Sequence, residues 1–313
     1  EEQEQFLSAL VHPSPIGTAL AWLSPVQNSA LAKAAEGSLP DWLPDSIELL
    51  EPGEKAGKTK AFSDGLCYPL DFSSVLTGSA LLTFSAMNTE TWKVLDLCAA
   101  PGGKSILATL FLRPALLLGN EVEGKRLGIL RHNLSRCQIP NVFTQRLAPE
   151  IWREKASGAF DLTLVDAPCS GQSLLAKGTE NPGCFHPSIT KGNARRQLRI
   201  LTDASATVRS GGFLFYSTCT FDLRENEGVI RKFLSRNETF SAVAIPHLEE
   251  YRSSHANFPV YRFYPHLISG AGGFVALLRH EGDPDESPTP IPEELLSYPV
   301  PSSTKSDSSS ATP

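Results

Sequence analysis

Six cysteines stand at positions 67, 98, 137, 169, 184 and 219, and two of them are placed to do chemistry together. Cys169 follows the apolar run Phe160–Val165 in the stretch Asp166-Ala167-Pro168-Cys169-Ser170-Gly171. Cys219 follows Phe213-Leu214-Phe215-Tyr216 in Ser217-Thr218-Cys219-Thr220. Each thiol thus lies just past a segment that reads as a buried strand, and Asp166 precedes the first by three residues. A lone cysteine is more often a small core residue than a nucleophile. Two at equivalent strand ends, in neighbouring strands, would face one cleft. A thiolate there can serve as a covalent nucleophile. Cys184 and His186 are too few ligands to define a metal site, so no metal is expected and both read as structural.

A second cluster lies upstream. Val94–Leu97 is a short apolar strand, Cys98-Ala99-Ala100-Pro101-Gly102-Gly103 a tight loop of small residues, and Lys104-Ser105 the start of a helix. Small residues let a backbone approach a ligand closely, and a helix start offers free N–H donors. The spacing is neither that of a dinucleotide fingerprint nor that of a phosphate loop. Glu121 follows the next strand, about 20 residues on, where nucleoside-binding folds place a carboxylate for ribose hydroxyls. A plain strand-to-helix turn would account for the loop by itself equally well.

The elements around these clusters alternate. Strands are expected at 94–97, 115–119, 142–145, 162–165 and 213–216, with helices at 103–112, 123–137, 193–208 and 225–234. Residues 239–245 and 273–278 can close the sheet as antiparallel strands. Such alternation implies an α/β fold, a mostly parallel sheet covered on both faces. Its ligands sit beyond the carboxyl ends of the strands, where both clusters fall. Residues 1–60 read as short helices over 6–35 followed by a linker, 61–280 as the catalytic domain, and 281–313 as a disordered Pro/Ser-rich acidic tail. The charge is segregated: net −8 over residues 1–90, +8 over 91–280 and −6 over 281–313. A basic middle in an acidic chain points to a polyanion such as nucleic acid. Lys191, Arg195, Arg196 and Arg199 are its densest stretch. Hydrophobic residues at 41% allow a sizeable core, and no apolar run has the length of a membrane span.

Taken in order, DLCAAPGGKS (96–105), DAPCSG (166–171) and STCT (217–220) resemble the signature of the Sun-type (NOP/Sun-domain) RNA cytosine-5 methyltransferases. Agreement extends to YPLDFSS (68–74), Arg196-Gln197, ENE (225–227) and Gly272-Gly273-Phe274, over about residues 62–280. The resemblance implies a class I methyltransferase fold, Rossmann-like with a seven-stranded sheet, S-adenosylmethionine as cofactor and a cytosine in rRNA or tRNA as target. It makes Cys219 the nucleophile toward cytosine C6, Cys169 the aid to elimination, and Asp166 the partner of the cytosine N3/N4 edge. Lys104 would add positive charge near the cleft. Cys98, Ala99, Ala100, Pro101, Gly102 and Gly103, with Lys104 and Asp166, would line the methionine part, and Glu121 would hold the ribose.

The chain departs from that pattern in three places. Gln145–Ala148 offers no acid for the adenine. Leu70 stands where members carry Gln. Residues 1–60 show no recognisable RNA-binding domain. A DNA cytosine-5 methyltransferase, with its nucleophile in Pro168-Cys169, and a non-catalytic RNA-binding or ribosome-assembly factor are the alternatives. The first lacks its Glu-Asn-Val motif here, and the second would be marked by a broken loop or a missing thiol. A monomer in a reducing cytoplasmic or organellar compartment, with no membrane partner, is the expectation, an N-terminal targeting segment remaining compatible with it.

Overall fold

The computed structural model describes residues 1–13, 17–24, 39–51, 54, 56–282 and 289–301. In chain order the elements are α1 (Glu2–Val11), β1 (Thr18–Trp22), β2 (Ile47–Leu49), α2 (Lys60–Ser63), β3 (Cys67–Asp71), α3 (Phe72–Gly78), β4 (Lys93–Asp96), α4 (Gly103–Leu112), β5 (Leu116–Asn120), α5 (Gly124–Arg136), β6 (Val142–Gln145), α6 (Pro149–Lys155), β7 (Phe160–Asp166), α7 (Pro187–Ser205), β8 (Val208–Thr218), α8 (Glu227–Leu234), β9 (Phe240–Ala242), β10 (Tyr261–Phe263) and β11 (Gly273–His280).

Seven strands run in the order β10-β11-β8-β7-β4-β5-β6, and β9 pairs with β11 off this path. Pairs β4/β5, β4/β7, β5/β6 and β7/β8 are parallel; β11 pairs antiparallel with β8, β9 and β10. The first six residues of β7 are all buried, because helices cover both faces, which is why its sequence is a continuous apolar run rather than an alternating one. One face packs Val94, Leu162, Leu164 and Phe215 against α3, α4 and α5. The other packs Leu95, Val165, Leu214 and Tyr216 against α7 and α8. The chain builds outward from β4 through β5 to β6, then returns to β7 on the other side. The order therefore switches between β4 and β7, the place where open α/β sheets bind ligands.

Three expectations need correction. Of the helices expected over 6–35, α1 covers the beginning, but Ala19, Leu20 and Trp22 lie in β1, and Ala30 and Leu31 lie outside the described residues. β1 pairs antiparallel with β2 and β3. Ala19 and Ala21 face one core while Leu20 and Trp22 face another. A strand buried on both sides has no polar alternation, so its pattern imitates a helix. The small sheet also ties the N-terminal segment, including β2 inside the expected linker, to β3. In the tail expected to be disordered, residues 289–301 are ordered. A 3-10 turn at Glu293–Leu296 buries Leu295, and the chain runs along the edge of β6, where Thr144 N donates to Tyr298 O and Val300 N to Val142 O. An edge strand offers unpaired N–H and C=O groups, and the tail satisfies some of them. Residues 283–288 and 302–313 lie outside the described residues. Finally, α7 begins six residues before its expected start, with Pro187 at its first position, where the missing N–H costs nothing.

Candidate active site

A cavity of about 520 Å³ opens beyond the carboxyl ends of β4, β5, β6, β7 and β8, within the usual range for small-molecule sites. Among its lining residues are Cys98, Ala100, Pro101, Lys104, Glu121, Asp166, Cys169 and Cys219. The sheet thus brings together both clusters read from the sequence. Ala99, Gly102 and Gly103 are not part of its lining. Gly102 is required by its backbone, φ 119°, a conformation costly for other residues. A Cβ on Gly103 would stand 2.8 Å from Leu70 Cδ2. These two glycines therefore shape the turn and let α4 pack on β3 rather than touch the cavity.

The β4–α4 turn is held from below. Asp96, fully buried, accepts from Ser105 Oγ at 2.6 Å. Burial pushes its carboxyl up to about 7, against the Ser105 hydrogen bond, with the Asp166 charge adding to the rise. Burial likewise pushes the Cys98 thiol far above its ordinary value, reinforced by Asp96, Glu121 and Asp166, so this thiol is neutral and inert. At the end of β5, Glu121 is 3% exposed. Its Oε2 lies 3.3 Å from Arg126 Nη1, and its Oε1 accepts from Glu123 N at 3.0 Å. Arg126 Nη2 also donates to Ala100 O at 2.6 Å, which pins the loop to α5. A fixed carboxylate at the end of β5, the apolar Val122 and Ala148 beyond it, and the charged Lys104–Asp166 pair on the other side form a set that fits a nucleoside carrying a charged amino-acid arm, as S-adenosylmethionine does. The acid missing after β6 is not supplied by Gln145, whose Nε2 donates to the carbonyls of Glu294 and Leu295.

Strand pairing sets the two thiols side by side. Asp166 on β7 is in register with Ser217 on β8, and the loops that follow bring Cys169 Sγ to 3.3 Å from Cys219 Sγ. Cys219 is exposed and Cys169 half-buried. The hydrogen bond with Cys169 holds the Cys219 thiol below its ordinary value, against partial desolvation by the cleft walls and the Asp166 charge; Ser173 and Lys177 help. The same contact, together with burial, holds Cys169 well above. The pair is therefore asymmetric: Cys219 is the thiol that ionises more readily, and Cys169 the one that holds its proton. Asp166 accepts from Ser217 Oγ at 2.6 Å and lies 3.5 Å from Lys104 Nζ, so Lys104 is ion-paired with Asp166.

Behind the thiols lies a buried polar lattice. Glu225 Oε2 accepts from Ser170 N at 2.9 Å and from Gln197 Nε2 at 2.7 Å; Gln197 Nε2 also reaches Pro168 O at 3.0 Å. Ser170 Oγ and Thr220 Oγ1 share a hydrogen bond of 2.7 Å, directly joining the two cysteine loops. Asn226 accepts from Thr218 Oγ1 at 2.6 Å and donates to Thr220 O at 2.9 Å. Glu227 forms a buried ion pair with Arg262. Gln197 and ENE, noticed in the sequence only as parts of a resemblance, fix the thiols from behind, while Arg196, also read there as part of the basic stretch, lines the cavity.

Sequence reasoning missed Lys177. It lines the cavity and pairs with Asp71 Oδ2 at 3.0 Å. Asp71 caps α3 through Ser73 N at 2.8 Å and accepts from Ala271 N at 3.2 Å. The lysine so joins the small N-terminal sheet to the thiols. Its signal was the YPLDFSS stretch, whose acid needs a cation that only the fold supplies. Among the described residues, no group of three His, Cys, Asp or Glu is placed to hold a metal ion, and no helix is long and apolar enough to cross a membrane.

Residues 82–279 match the model of the family described as 16S rRNA methyltransferase RsmB/F. Ribosomal RNA small subunit methyltransferase F of Klebsiella pneumoniae is 32% identical over 80% of this chain and 53% of its own length. The protein of the same name from Escherichia coli O157:H7 is 31% identical over 75% and 49%. The chain spans about half the length of these curated relatives. Among solved structures, NSun6 from Pyrococcus horikoshii with SFG is similar with a TM-score of 0.62 and 27% identity, over 76% of this chain and 60% of that one. A methyltransferase homolog from the same organism, at 23% identity and a TM-score of 0.72 over 89% and 90%, shares the fold.

Proposed function

The chain belongs to the 16S rRNA methyltransferase RsmB/F family, and from that premise we propose that residues 61–280 methylate C5 of a cytosine in RNA through a covalent adduct on Cys219. The observation that carries this reading is the pair of thiols 3.3 Å apart lining the same cavity as Glu121 and Val122. S-adenosylmethionine, which Glu121, Cys98, Ala100 and Pro101 would hold, would supply an electrophilic methyl group and leave as the neutral thioether S-adenosylhomocysteine. Cytosine C5 is too weak a nucleophile to take it unaided. The Cys219 thiolate adds to C6, and the ring electrons displaced from the C5–C6 double bond make C5 nucleophilic. Asp166, held in place by Ser217 and Lys104, accepts from the exocyclic amine and orients the ring. Once C5 carries the methyl group, its remaining hydrogen leaves as a proton, the double bond re-forms and the Cys219 thiolate departs.

Cys169 suits that last step. At rest it is the donor of the pair. When Cys219 becomes bonded to C6 its negative charge is gone, and with it the main reason Cys169 keeps its proton. Cys169 can then ionise and take the proton from C5, directly or through water. This division of roles is also what separates the reading from DNA-type chemistry, in which Cys169 would attack: the exposed thiol with the lowered pKa is Cys219. The target must be single-stranded or flipped to reach the thiols. The test is incubation with methyl-labelled S-adenosylmethionine and small-subunit rRNA, followed by mass mapping of the product. 5-Methylcytosine at a discrete position is expected; label on another base or on protein alone would overturn the reading.

A further inference from the structure

The Pro182–His186 loop is built onto the cysteine loop. Asn181 Nδ2 donates to Ser170 O at 2.8 Å and to Gly171 O at 2.9 Å, and Gln172 Nε2 donates to Cys184 O at 3.0 Å. Cys184 is buried beneath it. On this fixed base Phe185 is 53% exposed, and Ile189, one turn into α7, is 42% exposed. The loop after Cys219 reaches the same place: Arg224 Nη1 donates to Thr190 Oγ1 at 3.1 Å, beside Leu223, 47% exposed. Three large apolar side chains thus stand in solvent next to the two catalytic loops. A rigid, exposed phenyl ring has no role in the core.

What surrounds them selects the partner. Lys191, Arg195 and Arg199 recur every four residues on one face of α7, all exposed, over about 12 Å of helix. With Arg196 they lead from the loop to the cavity, whose wall includes Arg196 and Arg199. None of the four is in an ion pair among the described residues. Between Cys169 and Thr202 the only acid is Glu180. An apolar ledge beside an exposed basic stripe complements a strand that presents both phosphates and flat bases. Single-stranded nucleic acid has that chemistry, because its unpaired bases stack on aromatic rings while its backbone follows positive charge.

We propose that Phe185 is the stacking platform for a base flanking the target cytosine, and that Lys191 and Arg195 carry the adjoining phosphates toward the thiols. This rests on the RNA substrate proposed above and adds where the strand lies and what kind of strand it is. A duplex cannot offer a free base face to Phe185; a splayed single strand can.

The test uses the full chain with three probes: a short fluorescent oligouridylate, an RNA duplex and heparin. Phe185→Ala should weaken oligouridylate binding by about 5- to 100-fold at fixed salt, leave the salt slope unchanged and leave heparin affinity unchanged. Phe185→Trp should restore binding, and its added indole emission should be quenched by oligouridylate and not by heparin. Lys191→Ala with Arg195→Ala should weaken heparin and RNA alike and flatten the salt slope. Wild-type affinity in Phe185→Ala, an unmoved emission in Phe185→Trp, or an equal loss toward heparin would each overturn the proposal. Its fate is separate from that of the enzymatic reading. If wild-type protein binds oligouridylate and Phe185→Trp is quenched as described, but wild type methylates no rRNA, the methyltransferase reading fails and the platform stands.

Discussion

Glu225 is the residue whose loss should separate the scaffold of the site from its chemistry. It is fully buried, and its Oε2 holds Ser170 N and Gln197 Nε2, at 2.9 and 2.7 Å. Glu225→Ala strands Ser170 N and takes one of two acceptors from Gln197 Nε2, which keeps Pro168 O. A buried donor left unsatisfied costs about 1–3 kcal/mol, and the lost methylenes leave a void that adds to it, so a total near 4 kcal/mol is expected. At roughly 2 °C per kcal/mol for a large domain, the melting temperature should fall by roughly 8 °C. Glu225→Gln keeps an acceptor of the same shape and should lose about 1 kcal/mol. Burial already raises the Glu225 carboxyl above its ordinary value, so removing its charge costs little. Urea and thermal denaturation of the three proteins measure this. If Glu225→Ala melts within about 2 °C of wild type, or if Gln is as damaging as Ala, the lattice behind the thiols does not carry the load assigned to it.

Other outcomes follow from the same geometry. Glu121→Ala should weaken S-adenosylhomocysteine binding by about 1–3 kcal/mol in calorimetry, the usual loss for a charge-assisted hydrogen bond; unchanged affinity would remove Glu121 from the site. Asp96 goes from an ordinary 3.8 to about 7 in the folded protein. The folded state therefore binds its proton more tightly, and stability should fall as pH rises from about 4 to about 7 and level off above. Asp96→Asn should remove that slope, gaining over wild type at pH 7.5 and gaining nothing below pH 4; a parallel pH profile would show that Asp96 titrates normally. Iodoacetamide at neutral pH should modify Cys219 first, with Cys98 the slowest of the site cysteines, as peptide mass mapping would reveal.

Much of this was open to reading in the amino-acid order, for identifiable reasons. The parallel core was legible because β4, β5, β7 and β8 are apolar runs ending in small or polar residues, and those ends are where the chemistry gathers. The pairing of Cys169 with Cys219 was legible because each thiol follows its strand by a few residues, so parallel register alone makes them neighbours. What escaped was non-local or two-sided. β1 is buried on both faces and looks helical. The 289–301 tail has a disordered composition, yet it is ordered by an edge strand, β6, that lies some 150 residues earlier. At Gly103 a Cβ would meet Leu70, a packing demand that was hidden because sequence shows that a side chain is missing without showing what fills its place. Lys177 was invisible because its partner, Asp71, comes from a different sheet.

The central claim is that Cys219 attacks and Cys169 releases. It is tested most directly on a denaturing gel with small-subunit rRNA and S-adenosylmethionine. Cys169→Ala should accumulate a covalent protein–RNA band carrying the methyl group, because the proton at C5 stays and the thiolate cannot leave. Cys219→Ala and the double variant should show no band and no transfer. A stable band in Cys219→Ala and none in Cys169→Ala would reverse the roles, and full activity in both single variants would contradict covalent catalysis by this pair altogether.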